Sequence, residues 1–149
     1  MKKKLTIALV AHDRRKQDMV EWALNNADFL SQNHLVCTGT TGQLIHESFK
    51  QKQISADITC MHSGPLGGDA EIAAMVVRKE INLAIFLIDD LNAQPHEADI
   101  QMLLRQCRVH NVPIACNRYS ADLMITSSLW DNDSYSPTEP KYVYFKREK

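Results

Sequence analysis

Residues 34–49 read HLVCTGTTGQLIHESF. This is an apolar run of strand length, then a turn of glycine and threonine, then a segment that reads as the start of a helix. The same order recurs along the chain. Apolar runs of strand length stand at LTIALVA (5–11), HLVC (34–37), ITCM (58–61), NLAIFLI (82–88) and VPIAC (112–116). Between them, Ile100, Leu103, Leu104 and Cys107 fall at i, i+3, i+4 and i+7 with Arg105 and Gln106 turned away, one apolar face on a polar rod. Val20, Ala23, Leu24 and Ala27 repeat the pattern, and Ile72, Met75 and Val76 suggest it once more. Each parallel crossover needs a long connection, so alternation of this kind predicts an α/β fold. The expected form is three layers, doubly wound around a mainly parallel sheet of five strands. Nearly continuous apolar strands agree, because such a sheet is buried on both faces.

The chain of 149 residues, 44% of them hydrophobic, is the size of one domain spanning 1–149. Only the tail over 130–149 changes character. From 131 it reads DNDSYSPTEPKYVYFKREK, an extended or edge segment suited to a contact between subunits. With 17 basic against 18 acidic side chains, there is no large basic field for a nucleic acid. The opening MKKKLTIALVAHDRRK imitates a signal peptide, yet its apolar stretch runs into charges with no small-residue cleavage site, so it reads as the first strand. No apolar run approaches the roughly 20 residues that cross a bilayer. Cys37, Cys60, Cys107 and Cys116 lack C-x-x-C spacing and lie in apolar segments. They read as small buried hydrophobes of a reducing cytosol rather than a disulfide framework or zinc site.

The chain's five glycines are confined to two loops, CTGTTG (37–42) and SGPLGGD (63–69). In a parallel sheet both loops emerge at the carboxyl edge of the strands, together with HDRRK, DDLNAQPHEAD and NRYSAD. Ligands of open α/β sheets bind at that edge. Each glycine loop precedes a helix, whose first amides and dipole favour an anion. Taken singly, each has a plainer reading as a tight turn in which Thr40 or Ser63 satisfies nearby amides. Neither is G-x-G-x-x-G or a P-loop, so a single phosphate on a small molecule fits better than a nucleotide. Arg14, Arg15 and Lys16 stand where a helix should begin, capped by His12 or Asp13, and cations there oppose the dipole unless an anion compensates. Lys16 is the candidate ligand.

Asp69 and Asp99 could be a helix cap and a first-turn acid. His12 and His96 could be hydrogen-bonded loop histidines, or metal ligands with the aspartates, although no close pair such as H-x-x-x-H supports a metal. Those readings explain each residue separately but not why all four arrive beside the expected phosphate. Carboxylate and imidazole next to an organic phosphate suit proton abstraction beside a carbonyl, with imidazoles donating to the enediolate oxygens.

In the order ALVAHDRRK, TGTTG, SGPLGGD and IFLIDDLNAQPHEAD, these motifs closely resemble the methylglyoxal synthase family, from about residue 5 to about 127. That resemblance implies conversion of dihydroxyacetone phosphate to methylglyoxal and inorganic phosphate, without metal or coenzyme, by a cytoplasmic homohexamer. Phosphate would be both product and candidate inhibitor. It further implies Asp69 as the proton-shuttling carboxylate, with His12 and Lys16 on the substrate. Thr38, Gly39, Thr40, Thr41, Ser63 and Gly64 would cradle the phosphate. His96 would bind the substrate oxygens and move protons between them, with Asp99 in support. The chain departs from the family pattern at Asp90, where proline is common, at Leu66, where methionine is common, and in HEAD, where HDPD is usual. The fold also serves as a non-catalytic effector-binding domain in carbamoyl phosphate synthetase and appears in inosine monophosphate cyclohydrolase. Loss of the acid/base set would mark the binding-module alternative, and here the set is present.

Overall fold

In a computed structural model describing residues 3–142, the strands sort their side chains into two cores. Along β1 (Thr6–Ala11), Ile7, Leu9 and Ala11 enter one core, and Ala8 and Val10 the other. β2 (His34–Cys37) and β4 (Leu83–Leu87) divide in the same way, with Leu35, Cys37, Leu83, Ile85 and Leu87 on one face and Val36, Ala84 and Phe86 on the other. The period of two in a strand sends neighbours to opposite faces, so a strand apolar at every position must be covered on both.

The first core is closed by α1 (Lys16–Asn25), α2 (Ala27–Ser31), α3 (Gly39–Gln51) and α6 (Arg118–Ile125). The second is closed by α4 (Gly68–Val77) and α5 (Glu97–Val109). With β3 (Asp57–Cys60) and β5 (Ile114–Ala115), the sheet has, among the described residues, five strands in the order β3-β2-β1-β4-β5, with every pairing parallel. This is the three-layer, doubly wound architecture expected. The connection after β1 leaves to one face and that after β4 to the other, which opens a crevice at their carboxyl ends.

Some expectations change in detail. The last strand is shorter than VPIAC because Pro113 has no N–H for a ladder; its carbonyl still accepts from Ala84 N at 2.9 Å. The helical pattern through Ala27 is two helices, broken at Asn26, whose side chain bonds back to Trp22 O at 2.9 Å. The face of α1 that enters the core centres on Met19, Trp22 and Ala23, with Val20 and Leu24 packed at its margin. The cysteines divide: Cys37 and Cys107 are buried, whereas Cys60 and Cys116 are exposed at the ends of the two edge strands, and all four are free thiols. An edge strand has no neighbour to cover it, which the local sequence does not reveal.

Residues 132–142 run without regular structure across the C-terminal ends of α4 and α5, where Asn111 Nδ2 donates to Thr138 O (3.0 Å) and Tyr142 Oη to Val109 O (2.8 Å). The remainder of the tail, 143–149, lies outside the described residues. Among the described residues no helix is long and apolar enough to cross a membrane.

Trp22 joins α1 to α6 through Nε1–H donated to Asp122 Oδ1 at 2.8 Å, and its side chain fills the first core. Replacing it by Phe removes that bond and part of the volume, and should cost about 1–2 kcal/mol. Urea unfolding reads this as a lower midpoint at unchanged slope. A loss below about 0.5 kcal/mol would show that the ring only occupies space.

Candidate active site

At the carboxyl edge of the sheet, His12, Lys16, Thr38, Gly64, Asp69 and His96 line one cavity. They come from the segments that follow β1, β2, β3 and β4, including the first turns of α1 and α4. Asp13, Pro65 and Gln94 also line it, outside the expected ligand set; Asp13 and Gln94 sit inside the quoted motifs, one and two residues from a histidine. Gly39, Thr40, Thr41, Ser63 and Asp99 are not among the lining residues. A larger cavity of about 270 Å³, beneath the C-terminal half of α3, contains none of the expected residues.

Asp69 is the most deeply placed of the set. It lies in the first turn of α4, fully buried, and neither carboxylate oxygen has a hydrogen-bond partner among the described residues. It is therefore not a cap: Gly67 holds that position, at φ 109°, and makes no side-chain bond. Burial pushes the Asp69 carboxyl above the usual carboxylate range; Asp99 adds to the rise while His96 and Lys16 oppose it. His96 Nε2 lies 3.4 Å from Asp69 Oδ2, an ion-pair distance without hydrogen-bond alignment. Gly64 explains the closeness, since a Cβ there would stand 3.0 Å from His96 Nε2 and 3.2 Å from Asp69 Oδ1. The bare backbone admits both groups to the same space.

His12 is held on three sides. Its Nδ1 accepts from Asp89 N at 2.8 Å, and its ring meets Phe86 and His96 edge-on at centroid distances of 5.2 and 5.6 Å. A backbone donor on Nδ1 leaves the proton of the neutral ring on Nε2, an atom without a partner among the described residues. Burial lowers the His12 pKa, with His96 and Lys16 acting in the same sense, which keeps the ring neutral. Potential ligand atoms of His12, Asp69 and His96 lie within 4.8 Å of one another. Metal-bound histidines usually donate through their second nitrogen, whereas His12 accepts there, so its Nε2 is set as a hydrogen-bond donor and not as a lone pair for a cation.

Neither His12 nor Asp13 caps the first helix. A single turn, Asp13–Arg15, intervenes, and α1 begins at Lys16. Lys16 Nζ is drawn back to Ala11 O (2.8 Å) and Asp13 Oδ1 (3.0 Å), which holds a cation in the cavity lining. Arg15 turns away, to Ile88 O and Asp18. Asp99 sits in the first turn of α5, whose dipole it complements, close enough to influence Asp69.

The two glycine loops meet. Gly39 N donates to His62 O at 3.1 Å, so that amide joins the loops and is not free to face an anion. Thr40 and Thr41 supply the next amides of the first turn of α3. The Thr41 hydroxyl is internal, bonding Ala11 O and the Thr38 hydroxyl at 3.4 Å each, and Thr40 is exposed.

Residues 18–116 match a family model described as the MGS-like domain. The chain is 72% identical over 148 residues to a methylglyoxal synthase of Treponema socranskii, covering 99% of this chain and 94% of that one. A methylglyoxal synthase of Coxiella burnetii (strain Dugway 5J108-111) is 45% identical over 140 residues, 94% of each chain. The crystal structure of methylglyoxal synthase from Elizabethkingia anophelis NUHP1 superposes with a TM-score of 0.83 at 37% identity, covering 98% of this chain and 93% of that one.

Proposed function

The chain belongs to the MGS-like family, and from that premise we propose that it is a lyase converting dihydroxyacetone phosphate to methylglyoxal and inorganic phosphate. The observation that carries the reading is the gathering of His12 Nε2, both Asp69 oxygens and His96 Nδ1, four buried polar atoms without hydrogen-bond partners among the described residues. Buried polar groups are nearly always satisfied, and a cluster of exceptions marks a place where another molecule supplies the bonds.

Each group has a part. The Asp69 carboxylate takes a proton from the hydroxymethyl carbon beside the ketone. The C–H electrons become the C=C bond of an enediolate, and the carbonyl oxygen takes up negative charge. His12 donates Nε2–H to one developing oxygen, and His96 relays protons between the two. Thr38, Thr40, Thr41, Ser63 and Gly64 hold the phosphate with Lys16, and Gly39 ties the two loops. If the grip sets the C–O bond perpendicular to the enediolate plane, its electrons leave with phosphate as the enediolate electrons form an aldehyde C=O and a new C=C bond to the methylene carbon; the resulting enol then gives up its O–H proton and gains one at that carbon, yielding the ketoaldehyde. Pro65, in the single turn Gly64–Leu66, and Gln94, on the segment before α5, complete the lining of the cavity. The reading includes a cytoplasmic homo-oligomer, a hexamer by resemblance.

Purified protein without added metal should release phosphate and methylglyoxal from dihydroxyacetone phosphate in equal amounts. Nucleotide binding by calorimetry with no turnover would favour the effector-binding module instead.

A further inference from the structure

β2 and β3 run parallel, and Cys37 and Cys60 are partners in that register. Adjacent strands stand about 4.8 Å apart, inside the Cα separation of about 4.4–6.8 Å that disulfides use. Both side chains point to the same face, toward α3. A Cβ built on Gly42 would overlap Cys60 Sγ and lie 3.0 Å from Cys37 Cβ and 3.6 Å from Cys60 Cβ. Cys60 is exposed on the edge strand and Cys37 is buried. Burial, with Cys60 beside it, pushes the Cys37 thiol well above the usual range, so it is the slower of the two to react.

We propose that Cys37 and Cys60 form a redox-modification site in which a disulfide between them loosens the phosphate cradle. A hydroperoxide oxidises the Cys60 thiol to a sulfenic acid, ROOH becoming ROH. The Cys37 sulfur then displaces water from Cys60 and the disulfide closes, two hydrogens lost in all. Partner Cβ atoms in a parallel pair stand near the strand spacing, whereas a disulfide brings them to about 3.8 Å. Closure must therefore draw the strand ends together by roughly 1 Å. That movement falls where the strands open into the two loops. Thr38 follows Cys37 directly, and Met61 N, next after Cys60, donates to Cys37 O at 2.7 Å. The loops have no slack, since a Cβ on Gly39 would lie 3.0 Å from Met61 O and 3.2 Å from Ser63 N. A strained bridge of this kind is readily reduced, as a reversible control requires.

The effect on the cradle rests on the proposed function, but the bond does not, and the test separates them. In a Cys116→Ser background, which removes the other exposed thiol, the protein is treated with hydrogen peroxide. Intact mass and peptide mapping read the bond, and calorimetry with inorganic phosphate reads the cradle. The expected result is loss of two hydrogens, a bridge between the peptides carrying Cys37 and Cys60, and phosphate affinity reduced roughly tenfold, the scale of a small misplacement of binding groups. Dithiothreitol should restore the affinity, Cys60→Ser should keep its phosphate affinity under peroxide, and Cys37→Ala should form no bridge. Oxidation of Cys60 to the sulfinic acid with no bridge, or a bridge elsewhere, overturns the site. A bridge that leaves phosphate affinity unchanged overturns its link to the cradle. A reduced protein that neither binds phosphate nor turns over dihydroxyacetone phosphate refutes the functional reading instead, whatever the mass spectrum shows.

Discussion

Asp69→Asn should lose nearly all turnover of dihydroxyacetone phosphate, a fall in kcat of about 10²–10⁴-fold or more, while still binding inorganic phosphate. Asn has the same shape and removes only the ability to accept a proton. The neighbouring groups are donors: His12 Nε2–H, His96 and the Lys16 ammonium. Asp99 is a second carboxylate, but it lies in the first turn of α5 and does not line the cavity. A variant retaining a tenth or more of the parent kcat would remove Asp69 as the base. Because burial raises its pKa, the acid limb of kcat/KM should lie above the ordinary aspartate value of about 3.9.

The same substitution should stabilise the fold. Below the unfolded-state pKa, Asp69 is protonated in both states and costs nothing. As pH rises toward the higher folded-state pKa, the unfolded chain ionises freely while the folded one resists, and above that pKa the full cost of burying the charge is present. Asn carries no such charge. The variant should therefore unfold at a higher urea midpoint than the parent at neutral pH, with the difference shrinking as pH falls below about 4. An inactive yet more stable variant separates a catalytic carboxylate from a structural one.

Much of this arrangement could be read before any coordinates. The strand runs, the parallel order and the edge that carries the site follow from apolar periodicity, because a sheet covered on both faces admits few alternatives. Of the expected residues, those lining the cavity are His12, Lys16, Thr38, Gly64, Asp69 and His96, each in a segment that follows a strand and so placed by topology. What periodicity could not show is direction. Thr41 lies one residue from Thr40, yet helical rotation buries its hydroxyl against β1 and leaves Thr40 in solvent. Likewise nothing local indicates that the His12 ring is aimed by an amide 77 positions away, at Asp89. The register that sets Cys37 beside Cys60 is equally a property of two strands together.

Gly68→Ala should be the most damaging single methyl group added to the two loops. Gly67 and Gly68 are adjacent but glycine for different reasons. Gly67 has φ 109°, in the left-handed region, with nothing within 4 Å of a Cβ, so Gly67→Ala meets backbone strain alone, about 1–2 kcal/mol. At Gly68 the conformation is ordinary but the space is taken: a Cβ would overlap His62 O and lie 3.0 Å from Ser63 O. These are backbone atoms that cannot rotate aside. His62 O is also the acceptor of Gly39 N, and Ser63 O accepts from Leu66 N and Gly68 N, so making room separates the loops and breaks the turn that presents Asp69. The expected cost is about 3 kcal/mol or more in urea unfolding, at the upper end for overpacking. In whatever protein remains folded, the KM for dihydroxyacetone phosphate should rise roughly a hundredfold, as for an ångström-scale misplacement of the binding groups. Gly67→Ala should keep KM within about threefold of the parent, a change below 1 kcal/mol, because it displaces neither carbonyl. Equal losses in the two variants would mean that loop flexibility, rather than the close approach of the His62 carbonyl, is what the second glycine provides.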